Sequence, residues 1–439
     1  MVHQTKNTNT TSAHSASSTI SHMMVLYREV KRQPSLTRSA LWMPTMIVAW
    51  LAGCSSVPLE SPAPITASRP GVSTQVPAGA PAPGTWAPQP DGRGDLLRPK
   101  SQWIPAQWSD LPGWDRDQLV DWWPAWVKSC SKPAPGWWGL CQRSKQLGSQ
   151  PDEIQLRQFV QSHFKPWRVL SYEGQSTGLL TGYFEPLLEG KRQPDARYRY
   201  PLYKAPADLG IRKPHYTRSE LDTSVDGRAS VAGRELVYLA DPLDVLLIQV
   251  QGSGRIRLMD ENGPNGQPKV IRLAFGGHND QPYQSVARWL VDQGAITLEQ
   301  ASWQAIRNWA SLNPDRVPEM LRVNPRVVYF KEEALSDPES GPNGAQGVPL
   351  TPRRSVAVDV DSVPLGTPMW LDSTQPQAWS TSPAPATPLQ RLVMAQDKGG
   401  AINGAVRADF FWGWGDEALN QAGRTKQPLS VWVLWPSVP

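Results

Sequence analysis

Three aspartates next to strand-like segments are the side chains best suited to catalysis in this sequence. Asp359 and Asp397 each end a run of apolar residues, and Asp409 lies within the aromatic segment RADFFWGWG. Burial among aromatic rings disfavours a carboxylate anion and raises its pKa toward the range of a general acid. Tryptophan rings also suit stacking on pyranose rings, although packing in a core is their commoner use. These residues favour glycoside chemistry, and the alternative is a strand-end aspartate held by Arg407 in a structural ion pair.

The sequence gives little support to a metal, a nucleotide or a nucleophilic serine. Its 6 histidines are scattered, and neither His-Glu-x-x-His nor Cys-x-x-Cys occurs, so we expect no metal site and no cofactor. Gly252-Ser-Gly254 lacks the third glycine and the following helix of a dinucleotide site. Gly174–Gly178 matches G-x-S-x-G, but the strand-like residues after it replace the helix that this motif requires, so Ser176 is not predicted to be a nucleophile.

The apolar periodicity predicts a few helices and many short strands. One helix presents Leu119, Trp122 and Trp126 on a single face, and another begins after Asp152 with Gln155 as its capping partner. Two further helices are expected around 283–291 and 303–309. Strands are expected at 168–172, 178–184, 235–239, 245–250, 254–258, 269–275, 355–359, 392–396 and 431–435. This pattern indicates a mainly β protein of barrel or sandwich type with accessory helices.

The start of the chain predicts export and lipidation. Arg28 to Arg38 supply a positive segment, which is followed by an apolar run of about 15 residues that is short for a spanning helix. The run ends in Leu51-Ala-Gly-Cys54, which resembles a lipobox, so we expect cleavage before Cys54, acylation of its thiol and attachment to the periplasmic face of the outer membrane. The alternative is a chance cysteine behind an anchor helix. The first two dozen residues do not fit such a signal, which favours Met23 or Met24 as the natural start.

Charge and cysteine content follow from that assignment. The segment before Cys54 holds five basic residues and one acidic residue, so the formal charge of +5 falls to +1 without it, and no nucleic-acid partner is expected. Cys130 and Cys141 remain as an even pair in a compartment where disulfides persist. We predict a local disulfide between them, and two buried thiols are the alternative.

Two segments resemble connections rather than folded elements. Residues 55–98 are rich in Pro, Ala, Gly and Ser and predict an extended tether that lets a lipid-held protein reach the cell wall. Residues 334–347, ALSDPESGPNGAQG, predict a linker or a long loop. No repeat with a period of 20 to 50 residues is present.

Several long motifs follow one another through the chain and together cover nearly all of 100–437. They are Gly178–Pro186, Tyr200–Tyr203, Tyr216–Glu220, Ile248–Arg255, Phe275–Asn279 with Pro282–Tyr283, Ala357–Asp359, Ala395–Ile402 and Arg407–Gly415. In kind and order these motifs resemble the MltA family, the membrane-bound lytic murein transglycosylases A. The last part of the chain resembles the domain called 3D, after three aspartates that correspond to Asp359, Asp397 and Asp409.

The resemblance implies roles for individual residues. Asp409 would be the catalytic residue, with Asp397 and Asp359 supporting the site. Substrate contacts would come from Thr181, Tyr183, Gln249, Gln251, Gly252, Ser253, Lys398, Gly399, Gly400 and Trp412. The chain departs from the family pattern in three places: the interval between Asp397 and Asp409 is one residue longer than in some members, Gln249 stands where some members have Asp, and the order of residues at 278–281 differs.

The implied fold is a double-psi β-barrel with a second β-barrel domain inserted and the glycan lying between them. In this chain 1–53 would be the signal with its extension, 54–98 the lipidated cysteine and tether, 99–195 and 348–439 the first barrel, and 196–347 the insert. The implied reaction cuts peptidoglycan glycan strands without water, leaves a 1,6-anhydromuramyl end and serves cell wall turnover. Wall-synthesis proteins would be further partners. The rival interpretations are a hydrolase with Asp397 and Asp409 as its acid and base, and a wall-binding lipoprotein without activity.

Overall fold

The computed structural model describes residues 80–437, apart from 84, 264–265, 336 and 378–383. The expected signal segment, the lipidation residue Cys54 and most of the predicted tether lie outside the described residues. Within the described part, no helix is both long and apolar enough to cross a membrane.

The described residues form strands and helices in a mainly β arrangement. The strands are β1 Gln89–Pro90, β2 Leu96–Leu97, β3 Gln102–Pro105, β4 Phe164–Leu170, β5 Gly178–Glu185, β6 Leu187–Lys191, β7 Tyr200–Tyr203, β8 Glu235–Leu239, β9 Gly254–Asn262, β10 Pro268–His278, β11 Val328–Ala334, β12 Ser355–Val358, β13 Pro368–Thr374, β14 Pro388–Asp397, β15 Arg407–Trp414 and β16 Lys426–Pro436. The α-helices are α1 Leu119–Ser131, α2 Trp138–Ser144, α3 Glu153–His163, α4 Arg218–Thr223, α5 Val225–Val231, α6 Pro242–Gln251, α7 Val286–Asp292, α8 Trp303–Leu312, α9 Val317–Arg322 and α10 Gly415–Ala422.

The larger sheet closes on itself through β16. Its strand order is β1-β2-β3-β4-β16-β13-β14-β12-β15-β5, and β16 also pairs with β5. The first residues of β16, 426–429, pair with β5, whereas 430–433 pair with β13. Strands β16, β13, β14, β12, β15 and β5 therefore form a closed ring, which agrees with the expected barrel. The double-psi crossing of the strands stays a prediction.

The ring strands are apolar on both faces because two cores lie against them. Along β14, Val393 and Ala395 pack inside the barrel, whereas Leu392 and Met394 pack on the outside under helices α1, α2 and α3. Alternate residues of one strand point to opposite faces, so both sets must be apolar where both faces are covered. Most large rings of this region are core residues, and the fully buried tryptophans include Trp103, Trp122, Trp126 and Trp370.

The smaller sheet has the order β11-β10-β9-β6-β8-β7 and its own core. A single bridge between Lys204 and Phe330 joins its two edges. The chain passes from β5 in the larger sheet to β6 in the smaller one across Pro186 alone. The change of sheet therefore falls at Pro186, ahead of the expected domain boundary at 195.

The helices confirm most of the expectations, and one predicted strand is wrong. Asp152 accepts from the Gln155 N–H at 2.8 Å while the Gln155 side chain accepts from the Asp152 N–H at 3.0 Å, which is the expected capping box of α3. Residues 245–250, predicted as a strand, belong to helix α6. Its start is set by the Asp241 cap and by Pro242 in the first turn, and its end by Gly252 in the left-handed conformation. A short apolar run alone does not distinguish the two structures.

Cys130 and Cys141 form a disulfide with a Cα–Cα distance of 5.4 Å. The bond joins the last turn of α1 to α2, both of which pack on the outside of the ring. It therefore closes the short segment that carries the Pro and Gly residues between the two helices.

Candidate active site

Asp409 lies on β15 beside Thr181 of the parallel strand β5. Side chains alternate along a strand, so Ala408 and Phe410 enter the barrel core and Asp409 faces the other way. The same alternation on β5 puts Thr181 and Tyr183 on the side of Asp409. The pairing of two ring strands thus assembles a polar group outside the barrel core.

Asp409 is a partly buried carboxyl with a single hydroxyl donor. Thr181 Oγ1 donates to Asp409 Oδ1 at 2.5 Å and accepts from Arg407 Nη2 at 2.9 Å. Burial raises the pKa of Asp409, because the anion loses solvation, and the Thr181 hydrogen bond and the Arg407 charge only partly offset that effect. A carboxyl that holds its proton at higher pH than usual is suited to donate it to a leaving oxygen.

Asp397 is a second partly buried carboxyl with three donors. Its Oδ1 accepts from the backbone N–H groups of Ala345 and Lys398, each at 2.9 Å, and its Oδ2 accepts from the Tyr183 hydroxyl at 3.0 Å. Burial raises the pKa of Asp397 to about 6, with a contribution from the charge of Asp409, although all three hydrogen bonds favour the anion. The pKa of Tyr183 lies well above its usual value through burial and both carboxylates, so this hydroxyl remains a donor.

Strand β12 lies between the two carboxyl-bearing strands. Ala357 pairs with Asp397 on β14 and with Asp409 on β15, so the two aspartates lie at the same level of the sheet. Neighbouring strands are about 4.8 Å apart, which puts the two Cα atoms about 10 Å apart across β12. The sheet register therefore brings together the two carboxyls that the sequence singled out.

Asp359 supports the segment between those carboxyls rather than joining them. Its side chain is buried, pairs with Lys100 at 3.0 Å and accepts from the Gly404 N–H at 2.8 Å. Gly404 lies in the connection from Asp397 to Asp409. Asp359 thus holds that connection in place through the Gly404 N–H.

A buried ion cluster holds the segment that carries the Ala345 N–H. Glu185, at the end of β5, is bonded by Arg255 at 2.7 Å and by Arg272 at 2.6 Å. Arg255 also donates to the carbonyl of Pro338 at 2.7 Å, and both guanidiniums donate to the carbonyl of Ser340. The guanidinium of Arg255 lies 4.1 Å from the ring centroid of Trp414, at the end of β15. The predicted loop at 334–347 is therefore anchored on both sheets.

Trp412 does not offer a stacking surface for a sugar. It is 5% exposed, packs in the barrel core and donates from Nε1 to Thr425 Oγ1 at 2.9 Å. Trp412 occupies the inward position in the alternation of β15, and a substrate contact at this residue stays a prediction. Phe411 on the opposite face lies next to Tyr183, with ring centroids 5.2 Å apart.

Most polar residues of the motif Ile248–Arg255 are buried or hydrogen-bonded within the protein. Gln249 is buried and accepts from Arg218 at 2.5 Å, and Gln251 accepts from the Phe184 N–H at 3.0 Å. Gly252 ends α6 in the left-handed conformation at φ 83°, and Ser253 is 8% exposed. Gln251 thus holds α6 against β5, Gln249 holds α6 against α4, and Gly252 ends α6. A sequence motif cannot distinguish such structural roles from substrate contacts.

The loop after Asp397 is open to solvent at Lys398, Gly399 and Gly400. A Cβ on Gly400 would lie 2.5 Å from Nη1 of Arg326, so the absence of a side chain there lets the guanidinium approach the loop closely. Arg326, Glu185 and Arg272 were not predicted from the sequence. The signal for Glu185 was its place in the motif Gly178–Pro186; nothing in the spacing of the two arginines revealed them.

Comparisons with known proteins match this arrangement. The model of the MltA specific insert domain matches residues 179–331, and the 3D domain model matches residues 354–435. The membrane-bound lytic murein transglycosylase A of Vibrio cholerae is 32% identical over 265 residues, which are 59% of this chain and 66% of that protein. Its counterpart in Escherichia coli K12 is 30% identical over 284 residues, 64% of this chain and 72% of that protein.

Solved structures share the fold. The lytic transglycosylase LtgG of Burkholderia pseudomallei is 40% identical, with a TM-score of 0.53 over 82% of this chain and 100% of that one. Escherichia coli MltA, solved with bound chitohexaose, is 26% identical, with a TM-score of 0.58 over 73% of this chain and 91% of that one. The mainly β architecture with two sheets is therefore shared with these proteins.

Proposed function

The chain belongs to the MltA family of membrane-bound lytic murein transglycosylases, and from that premise we propose that it cleaves the β-1,4 bond between N-acetylmuramic acid and N-acetylglucosamine in peptidoglycan. Asp409 is the catalytic group in this proposal. The observation that carries it is the partly buried Asp409 carboxyl, whose pKa burial raises and whose anion Thr181 can still stabilise. One group thereby has access to both protonation states.

The reaction proceeds in two proton transfers through the same carboxyl. Protonated Asp409 donates to the glycosidic oxygen as the bond from that oxygen to C1 of the muramic acid breaks. The Asp409 anion then takes the proton of the C6 hydroxyl of the same sugar while O6 bonds to C1. The products are a free 4-hydroxyl on one fragment and a 1,6-anhydromuramyl end on the other, with no water consumed. Because the nucleophile belongs to the substrate, the ring closure benefits from proximity.

Asp397 supports this sequence without exchanging a proton with the substrate. Its three hydrogen bonds tie Tyr183, Ala345 and Lys398 together at the edge of the site. As an anion it also stabilises the positive charge that develops at C1. A glycosidase of the ordinary type needs a second carboxyl for water or for a covalent intermediate, and the donors around Asp397 favour a positioning role over either.

Two sheets frame the proposed glycan groove. We assign the ring with its covering helices to the first domain, and the smaller sheet with α4–α9 to the insert. We propose that a long glycan binds between them. Escherichia coli MltA carries chitohexaose, a glycan of related backbone. The tether and the acylated Cys54 would hold the enzyme at the outer membrane beside its substrate, and wall-synthesis proteins are proposed as further partners. A Cys54→Ala variant tests the anchor, since it should accumulate as precursor without lipid; normal acylation would overturn that assignment.

Mass spectrometry of fragments released from purified sacculi tests the reaction. A transglycosylase releases anhydromuramyl fragments, which are one water lighter than the fragments that a hydrolase would release. Fragments with a reducing muramic acid end would assign the pair Asp397 and Asp409 to hydrolysis instead. Binding to sacculi without any release would leave only a wall-binding role.

A further inference from the structure

Arg326 presents its guanidinium to the exposed loop that follows Asp397. Its Nη1 lies so close to Gly400 that a Cβ there would be only 2.5 Å away. Gly400 is three residues after Asp397, so the two Cα atoms are at most about 11 Å apart. Arg326 comes from the segment before β11 in the smaller sheet. It therefore reaches the edge of the carboxyl site from the opposite sheet.

The guanidinium is fixed in orientation but its outer nitrogens are unpaired. Arg326 Nε donates to the carbonyl of Gln281 at 2.7 Å. Across the part of the chain that the structure describes, neither Nη atom of Arg326 has an acceptor, and no carboxylate forms an ion pair with it. Two other arginines of the smaller sheet differ in this respect, because Arg255 and Arg272 both pair with Glu185. A partly buried, oriented guanidinium with a free fork is suited to bind a carboxylate through two parallel hydrogen bonds.

His278 adds a second donor on the neighbouring strand: it pairs across β10 and β11 with Val328, two residues after Arg326. Its Nδ1 accepts from the Asp280 N–H at 3.0 Å, which assigns the ring proton to Nε2. Burial lowers the pKa of His278 and the charge of Arg326 lowers it further, although the nearby Asp280 carboxylate raises it, so the neutral ring is favoured. The half-exposed ring of Phe275 lies beside it, with centroids 6.2 Å apart. The group thus combines a cation, an N–H donor and an apolar ring.

We propose that Arg326, assisted by His278, binds a carboxylate of the muramyl unit and so determines which sugar lies next to Asp397. The inference rests on the proposed function. Of the two sugars in a murein strand, only muramic acid carries a carboxyl-bearing substituent, its O-lactyl group, which is free or extended by the stem peptide. Both sources supply the same ligand chemistry, and a polymer of N-acetylglucosamine supplies none.

The test pairs variants of Arg326 with substrates that carry or lack the charge. Wild type, Arg326→Gln and Arg326→Lys are assayed on sacculi, on glycan strands freed of peptide, and on each substrate after its carboxyls are converted to amides. Calorimetry measures the binding of chitohexaose in parallel. We expect Arg326→Gln to raise KM about tenfold on charged substrates, because one charge-assisted hydrogen-bond partner is lost. The kcat should change less than about threefold. Arg326→Lys should recover part of the loss, and the Kd of chitohexaose should not change.

The substrate side gives a result that does not depend on the folding of a variant. Amidation should raise KM for wild type by a similar factor and leave Arg326→Gln almost unchanged. If amidation raises the KM of wild type only on peptide-free strands, the ligand is the lactyl carboxylate. If it raises the KM only on sacculi, the ligand is a carboxylate of the stem peptide. The inference is overturned if amidation raises the KM of wild type and of Arg326→Gln equally. It is also overturned if the substitution weakens the binding of chitohexaose as much as the binding of charged glycan. If wild type releases nothing from sacculi, the proposed function fails, and the binding of charged and amidated strands still decides the role of Arg326.

Discussion

Asp397 and Asp409 lie opposite the same residue, Ala357, on the two sides of strand β12. Each carboxyl has a raised pKa, yet their hydrogen bonds differ: Asp397 accepts three, two of them from backbone N–H groups, whereas Asp409 accepts one from Thr181. Backbone donors cannot be removed by side-chain motion, so the position of Asp397 is tied to the fold, whereas Asp409 is held by one side-chain donor. This difference supports the proposal that Asp397 positions the site and that Asp409 transfers the proton.

Thr181 should set the upper pH limit of activity. Its hydroxyl stabilises the Asp409 anion, so Thr181→Val should raise the pKa of Asp409 further. A general acid must be protonated at the start of the cycle, so the alkaline limb of the kcat/KM profile should move to higher pH. Thr181→Ser keeps the donor and should retain the wild-type limb. A limb that stays in place or moves to lower pH in Thr181→Val, as it would if Arg407 bound Asp409 instead, would contradict this assignment.

The charge of Asp397 should reduce the stability of the fold in a definite pH window. Its pKa of about 6 in the folded state exceeds the unfolded value of about 3.9. The folded state therefore holds a proton that the unfolded chain has released, and stability falls as the pH rises from about 4 to about 6. Asp397→Asn removes this effect, so its Tm should match wild type near pH 4 and exceed it by about 2–4 °C at pH 7. Calorimetry that finds a difference independent of pH would refute the raised pKa.

Glu185 should be essential to both stability and the anchored loop. Glu185→Gln leaves Arg255 and Arg272 buried without a counter-charge, which should cost about 3–5 kcal/mol in the free energy of unfolding. Activity should fall as well, because Ser340 and the Ala345 N–H lose their support. The matched control is Glu417→Gln, which breaks the exposed pair with Arg353 and should cost less than about 1 kcal/mol. Equal effects of the two substitutions in urea unfolding would show that the cluster does not organise the site.

The disulfide should stabilise the fold without affecting catalysis. Replacing both Cys130 and Cys141 by Ser should lower the free energy of unfolding by about 2–3 kcal/mol. Because the bond joins α1 to α2 on the outside of the ring, kcat and KM should remain at wild-type values. Reductant should lower the stability of wild type to that of the double variant and should not change the variant. Free thiols in peptide maps of oxidised protein would contradict the bond.

The sequence correctly predicted those elements whose apolar residues follow a single periodicity, either that of a helix or that of a strand, along the whole element. Helix α3 with its capping box, and the ring strands around Asp397 and Asp409, are of this kind. The segment 245–250 was misassigned because six apolar-rich residues fit both a buried strand and a helix, and the deciding signals lay outside the run, at Asp241, Pro242 and Gly252.

Site residues on the ring strands could be singled out from their own sequence motifs. Site residues that approach from the smaller sheet were missed. The sequence singled out the motifs that contain Asp409 and Thr181, but it did not predict the bond between them, which depends on the pairing of β5 with β15. Trp412 was predicted as a substrate contact, and the same alternation that turns Asp409 out of the core puts Trp412 into it. Arg272 and Arg326 approach from the smaller sheet, and no local pattern reports which residues of another sheet will face a loop.

The rate at which Asp409→Asn releases anhydromuropeptides from purified sacculi shows whether Asp409 is the catalytic acid and base. The amide keeps the shape of the side chain but can neither donate nor accept the required proton. We predict a loss of at least about 10²–10⁴ in kcat, with binding of chitohexaose retained and Asp397→Asn less impaired. Release of anhydromuropeptides by Asp409→Asn at close to the wild-type rate would contradict the assignment of Asp409 as the catalytic acid and base.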